Sequence, residues 1–253
     1  VNYARFKPEN NAMQTLDRVP DFPRQIQSMF GAVAPKYDFL NRMLSGGRDQ
    51  YWRKTAVDLL SPKKGERFLD IATGTADIAL EIAARHLSEL KVMGIDFSGP
   101  MLKLGQKKVA EQHREQTISL QKGCAESLPF AEESFHGAIS AFGLRNFSET
   151  QRALTEMHRV LKPGGRFVIL EFSHPPNPVL GWGYLFYFQF LLPQVGKFFS
   201  RHKSAYSYLP QSVAKFPMRD ELALLMSQSG FQSVTHRDLT FGIVTLYHGL
   251  KNG

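Results

Sequence analysis

From residue 66 onward, short apolar runs alternate with stretches whose apolar positions recur every three or four residues. The runs fall at 66–72, 91–96, 118–121, 137–142 and 166–172, and the helical stretches at 78–85, 99–112, 149–161 and 221–229. Runs this short, bounded by turn residues, predict strands, and the longer spacing predicts amphipathic helices. The segment 166–172 is apolar almost throughout, as expected of a strand covered on both faces. Lys162-Pro163-Gly164-Gly165 supplies the proline and glycines expected just past a helix C-terminus. Two last runs, 232–237 and 242–249, joined by Leu239-Thr240-Phe241, predict an antiparallel hairpin. Together they predict one doubly wound, mostly parallel α/β sheet of seven strands, Rossmann-like, with the C-terminal hairpin at its edge.

Ahead of the sheet, residues 1–24 are polar with three prolines and read as a loose arm. Ile26, Met29, Phe30 and Val33 recur at helical spacing before Pro35, and a second helix is expected over 49–60 after Gly46-Gly47. Residues 25–253 are therefore expected to form one domain, with 25–60 as a helical lid and 174–218 as an insertion over the site. Within that insertion, Val179 to Phe199 is aromatic-rich with Lys197 as its one charge. Its length suits a membrane span, but Gly181, Gly183, Gln189, Pro193 and Gln194 suit it poorly. An amphipathic cover beside Lys197, Arg201 and Lys203 is expected instead, able to touch an anionic membrane surface. A helix simply packed on the core is the competing reading.

The first strand runs into Ala72-Thr73-Gly74-Thr75-Ala76-Asp77, a turn of small residues that lets a ligand approach backbone closely. The helix after it points free N–H groups at the same place. A dinucleotide fingerprint would need three glycines, and the aligned positions hold Ala72, Gly74 and Asp77. Acids at Asp70 and Asp77 argue against a pyrophosphate and for a ligand with an ammonium and a ribose, such as S-adenosyl-L-methionine. Asp96, at the end of the second strand and followed by Phe97, lies where an acid takes ribose hydroxyls. The bland alternative is that Asp70 and Asp96 end strands and cap helices.

The 253 residues carry a net charge of +8, which points to acidic partners such as a membrane surface. The single cysteine, Cys124, excludes a disulfide framework and fits a reducing, cytoplasmic setting, with peripheral contact at the inner membrane face as a further expectation. No Cys/His cluster has metal-ligand spacing. Reacting groups in open α/β sheets project from the carboxyl ends of strands, here Phe142-Gly143-Leu144-Arg145-Asn146 and Glu171-Phe172-Ser173-His174. No Asn/Asp-Pro-Pro-aromatic motif follows strand four and no catalytic thiol stands there, so no nucleic-acid partner is expected. A homodimer is left open.

Four motifs then stand in order: Tyr37-Asp38-Phe39-Leu40-Asn41 with Ser45 and Trp52; Phe142 to Asn146; Arg159 to Gly165 with Glu171-Phe172-Ser173; and Tyr206 to Ser212 with Phe216-Pro217. In them the chain resembles the ubiquinone/menaquinone biosynthesis C-methyltransferase family over nearly its whole length beyond the arm. The resemblance implies a class I S-adenosylmethionine-dependent methyltransferase fold and methylation of a ring carbon of a prenylated quinol. Demethylmenaquinol is the leading acceptor, with 2-polyprenyl-6-methoxy-1,4-benzoquinol, or a non-catalytic scaffold of a quinone-synthesis complex, as alternatives. It further implies Thr75, Asp96, Cys124, Ala125 and Ala141 at the cofactor, and Tyr37, Asp38, Arg145, Asn146 and Tyr206 at the quinol. Thr73-Gly74-Thr75-Ala76 departs from the Gly-Gly-Thr-Gly usual in that family, and Asp49, Cys124 and Ala141 depart at single positions. Because guanidinium keeps its proton, Arg145 is expected to stabilise the quinol's phenolate, with the proton leaving through water held by Asn146, Asp38 or a tyrosine.

Overall fold

A computed structural model of the chain describes residues 37–186 and 211–253. The arm, the helix expected over 25–34, Tyr206 and the part of the insertion from 187 to 210 lie outside those residues. The described elements begin with α1 (Tyr37–Leu44) and α2 (Arg48–Leu60), separated by a turn in which Gly46 and Gly47 both take positive φ. Then come β1 (Arg67–Ile71), α3 (Asp77–Ala83), β2 (Lys91–Asp96), α4 (Gly99–Glu111), β3 (Ile118–Lys122) and β4 (Phe135–Ala141). A 3-10 turn (Leu144–Asn146) leads into α5 (Thr150–Val160), β5 (Leu161–Phe172) and α6 (Pro178–Phe186). The chain closes with α7 (Asp220–Gln228), β6 (Gln232–Leu239) and β7 (Val244–Leu250).

The strands form one seven-stranded sheet in the order β3-β2-β1-β4-β5-β7-β6. Strands β1 to β5 pair in parallel, while β7 runs antiparallel to both β5 and β6, as the hairpin pattern predicts. The order reverses between β1 and β4, which opens a crevice at their carboxyl ends. Lys162-Pro163-Gly164-Gly165 ends α5 as expected, yet it lies within β5 rather than between elements. Leu161 pairs with Phe135 and pairing resumes at Gly137 with Arg166, so the four residues bulge out of register. Two backbone bonds to Lys251 hold that bulge in place, from Gly164 N and to Gly165 O, each 2.9 Å. Strand β4 likewise begins two residues before its apolar run, at Phe135.

Alternation along the strands feeds two core layers. Phe68, Val92, Val168 and Leu170 pack with α2, α3 and α4 on one face. Leu69, Ile71, Phe167 and Ile169 pack with α5 and α7 on the other. The parallel strands thus lie between two apolar layers, which is why 166–172 reads as a continuous apolar run. Gly94 in β2 has no spare space, because a Cβ there would lie 2.6 Å from Leu120 Cδ2 and 2.8 Å from Thr73 Oγ1. Gly183 in α6 would meet nothing within 4 Å. Gly94→Ala is therefore expected to destabilise the fold by about 1–3 kcal/mol through overpacking, whereas Gly183→Ala leaves stability unchanged or slightly raised. Urea unfolding of the two variants beside the wild type checks both.

Candidate active site

The turn after β1 follows an unusual backbone path. Ala72, Gly74 and Ala76 have φ of 57°, 55° and 67°. Left-handed geometry costs an alanine about 1–2 kcal/mol, a strain commonly found at functional turns. Neighbouring elements hold the path. Thr73 N donates to Ile95 O at 3.0 Å, and Gly74 N donates to Asp96 Oδ2 at 2.8 Å. The other oxygen of Asp96 accepts from Ser98 N at 2.8 Å, so one carboxylate ties the turn after β1 to the turn after β2. Burial raises the Asp96 pKa, while the N–H groups of Ser98, Gly74 and Phe97 act to lower it.

Asp70 serves the turn from beneath. Its Oδ2 accepts from Thr73 Oγ1 at 2.6 Å and from Ala79 N at 3.1 Å, and the residue is only 1% exposed. Burial pushes its pKa up to about 7, against the lowering effect of those two bonds. Asp70 thus braces the turn, tying Thr73 to the start of the helix that follows.

Asp77 and Asp38 belong to an ion network that spacing could not reveal. Lys108 of α4 pairs with Asp77, and with Asp38 at 2.9 Å. Arg53 of α2 bridges Asp77 at 3.3 Å and Asp49 at 2.6 Å, and Ser45 Oγ donates to Asp49 at 3.0 Å. Thr75 Oγ1 donates to Asp38 Oδ1 at 2.7 Å. Two corrections follow. Asp77 is not a bare acid repelling phosphate, since two cations offset it. Asp38, expected beside the quinol, joins the cofactor turn through Thr75 and Lys108. Lys108 and Arg53 were missed, and their only sequence signal was that they lie on helices flanking the turn.

On the far side of Asp96, the loop after β3 carries Cys124 and the buried Ala125. Cys124 Sγ donates to Glu126 Oε2 at 2.5 Å, and Glu126 Oε1 accepts from Ser148 N and Oγ, each at 2.9 Å. Burial, together with Glu126, pushes the Cys124 thiol up to about 12. Burial also pushes Glu126 upward, but the hydrogen bonds from Cys124 and Ser148 outweigh it and leave its carboxyl below the ordinary value. Glu126, absent from the expected set, thus links the loops after β3 and β4. Phe97 lies half-buried next to Asp96, and Ala141 ends β4 half-buried against the core.

Across the crevice, the end of β4 and the end of β5 meet. Arg145 Nη1 donates to Phe142 O and to Glu171 Oε1, both at 2.6 Å. Its guanidinium carbon lies 5.3 Å from the centre of the Phe172 ring. Phe142 and Phe172 stand 4.6 Å apart, with Trp52 of α2 edge-on to both at 6.2 and 6.3 Å. Trp52 Nε1 donates to Thr240 Oγ1 at 2.7 Å, which fixes the indole. Asn146 sits on the same turn as Arg145 with Nδ2 3.4 Å from Phe142 O. Arg145 thus carries an ion-pair partner, Glu171, that its place in the sequence did not announce. Tyr37 heads α1, and Tyr206 lies outside the described residues.

The residues present fit an adenosyl ligand. The hydroxyls of Ser98, beside Asp96, and Ser140, at the end of β4, are buried and lack partners among the described residues. Gly143 lies so close to the turn that a Cβ there would come 2.5 Å from the Cβ of Ala72. No group of three His, Cys, Asp or Glu among the described residues could hold a metal ion.

Residues 20–251 match the ubiE/COQ5 methyltransferase family. The chain belongs to that family. It is 49% identical over 227 residues to a ubiquinone/menaquinone biosynthesis C-methyltransferase UbiE of Geotalea daltonii, covering 90% of this chain and 96% of the relative. It is 42% identical over 229 residues to a demethylmenaquinone methyltransferase of Porphyromonas gingivalis, covering 90% and 93%. Among solved structures, the [4+2]-cyclase SpnF superposes with a TM-score of 0.69 at 17% identity, covering 91% of this chain and 97% of that one. Phosphoethanolamine N-methyltransferase 2 of Haemonchus contortus, in complex with S-adenosyl-L-methionine, superposes at 0.63 and 16% identity, covering 85% and 56%. At such identities these likenesses establish the methyltransferase fold alone.

The Asp70 brace has a pH signature. Its folded pKa is raised from 3.8 to about 7. The unfolded chain therefore loses this proton first, and the stability the group lends is full below about pH 4 and lost as pH rises towards about 7. In Asp70→Asn the amide oxygen still accepts from Thr73 and Ala79, and that loss disappears. The variant is expected to gain on the wild type by a few kcal/mol between those limits, read by urea titration at each pH.

Proposed function

We propose that this methyltransferase of quinone biosynthesis methylates a ring carbon of demethylmenaquinol. The supporting observation is the aromatic cluster of Trp52, Phe142 and Phe172 at the strand ends, with the Arg145 guanidinium laid against one of its rings. A flat apolar ring bearing an ionisable hydroxyl suits the neighbourhood of such a cluster and its cation. The names of the relatives from Porphyromonas gingivalis and Geotalea daltonii support the same reading.

S-adenosyl-L-methionine is the cofactor and, when bound, supplies an electrophilic methyl carbon on a positively charged sulfur. The residues that would hold it are Gly74, Thr75, Asp96, Phe97, Cys124, Ala125 and Ala141. Positioning the two reactants in line is the larger part of what the protein contributes. Arg145 cannot act as a base, because guanidinium stays protonated. It stabilises the acceptor's phenolate instead, so electron density moves onto the adjacent ring carbon. That carbon is the one to which bound S-adenosyl-L-methionine would give its methyl group, keeping the S–CH3 electron pair on sulfur as it became a neutral thioether. The ring C–H proton then leaves to water, restoring aromaticity. The reduced ring is required, since an oxidised one is too electron-poor to attack.

Peripheral membrane contact fits the same reading, because a prenylated acceptor resides in lipid. On α6, Val179 and Trp182 share a face and are 77% and 73% exposed. No helix among the described residues is long and apolar enough to cross a membrane.

Three experiments test this reading. Transfer of labelled methyl to reduced demethylmenaquinone and to reduced benzoquinone analogues, offered side by side, should favour the naphthoquinol. Preference for the benzoquinol would overturn the acceptor assignment. Arg145→Ala should lower turnover by about a hundredfold while cofactor affinity, measured by calorimetry, stays near normal. In flotation with anionic vesicles, Trp182→Ser should bind less than the wild type, and equal binding would remove α6 from the membrane contact.

A further inference from the structure

Glu171 closes β5 and is 1% exposed, so it cannot touch the acceptor. Three donors converge on it. They are Arg145 Nη1 at 2.6 Å, the backbone N–H of Phe172 at 2.9 Å and the backbone N–H of Arg145 at 3.3 Å. Glu171 therefore holds Arg145 at both its main chain and its side chain. The Arg145 side chain is itself only 6% exposed, and its Nε is buried without an acceptor among the described residues.

Stability alone is a weak reason to keep such a pair. A buried ion pair gains little over a well-packed apolar replacement, because both charges lose their hydration. What it does supply is a fixed place for a long, flexible cation. Freed of Glu171, the guanidinium would be a buried charge held by one carbonyl, and it would swing toward water. The described acids nearest the cofactor turn do not substitute for it, since Asp38 and Asp77 are bonded to Lys108 and Arg53.

We propose that Glu171 is a positioning residue for methyl transfer, fixing the Arg145 guanidinium between the carbonyl of Phe142 and the ring of Phe172 so that its Nη2 meets the acceptor's oxygen. This rests on the reading of Arg145 as the cation that faces the quinol. Glu171 acts only through Arg145, and the geometry assigns it no contact with either reactant.

A double-mutant cycle separates this from an ordinary structural role. Turnover is measured with a reduced prenylated naphthoquinol, and cofactor affinity by calorimetry, for wild type, Glu171→Ala, Arg145→Ala and the double variant. Glu171→Ala is expected to lower kcat about tenfold or more, to leave cofactor affinity unchanged, and to cost nothing further in the Arg145→Ala background. Glu171→Gln keeps an oxygen to accept from Nη1 and should recover most of the lost rate. If Glu171→Ala does not fold, the cycle run with Glu171→Gln decides, by a smaller loss that vanishes when Arg145 is absent. An equal loss in both backgrounds, or wild-type kcat in Glu171→Ala, overturns the proposal while leaving the Arg145 reading intact. Wild-type kcat in Arg145→Ala overturns that reading instead, and the positioning role with it.

Discussion

One carboxylate joins the two turns from which the proposed cofactor site is made. Asp96 accepts from Gly74 N on one side and Ser98 N on the other, across the parallel pairing of β1 and β2. Backbone donors at those turns would otherwise be left to water or ligand. The bond lets the first turn hold left-handed alanines, because Thr73 is pinned to Ile95 and Gly74 to Asp96 within two residues. Asp70 completes the arrangement from inside, bonded to the turn through Thr73 and to the first turn of α3 through Ala79.

The helices flanking the turns are held electrostatically. Lys108 and Arg53 each bridge acids from two different elements, so α1, α2, α3 and α4 meet at one partly buried set of charges. Networks of this kind contribute more than isolated surface pairs, though each member remains partly screened by solvent. Across the crevice, contact is aromatic instead: Trp52 reaches from α2 to Phe142 and Phe172 and is fixed by Thr240 beside the last hairpin. One helix, α2, therefore contributes Arg53 to the charged network and Trp52 to the aromatic cluster across the crevice.

The sheet was largely legible because its signals are local. Apolar runs bounded by turns set the seven strands, and the Pro-Gly-Gly segment correctly marked the end of α5. What periodicity could not show was that the same segment remains part of β5, since that depends on pairing with Lys251 and Phe135 far along the chain. The site was legible in its positions and less so in its roles. Sequence placed Asp70, Asp77 and Asp96 around the turn, but whether a carboxylate is bare, buried or paired depends on residues 9 to 31 positions away, such as Ala79, Arg53 and Lys108. The same holds for Arg145, whose partner Glu171 lies on another strand. Spacing along a chain carries no information about which charges neutralise one another after folding.

The sulfhydryl of Cys124 has a consequence for the chemistry of the product. Hydroquinones oxidise readily, and the electron-poor rings that result undergo conjugate addition by thiolate far faster than by thiol. A group with a pKa of about 12, donating its hydrogen to Glu126, stays neutral at physiological pH. The chain's one thiol is thereby kept in its protonated, less reactive form.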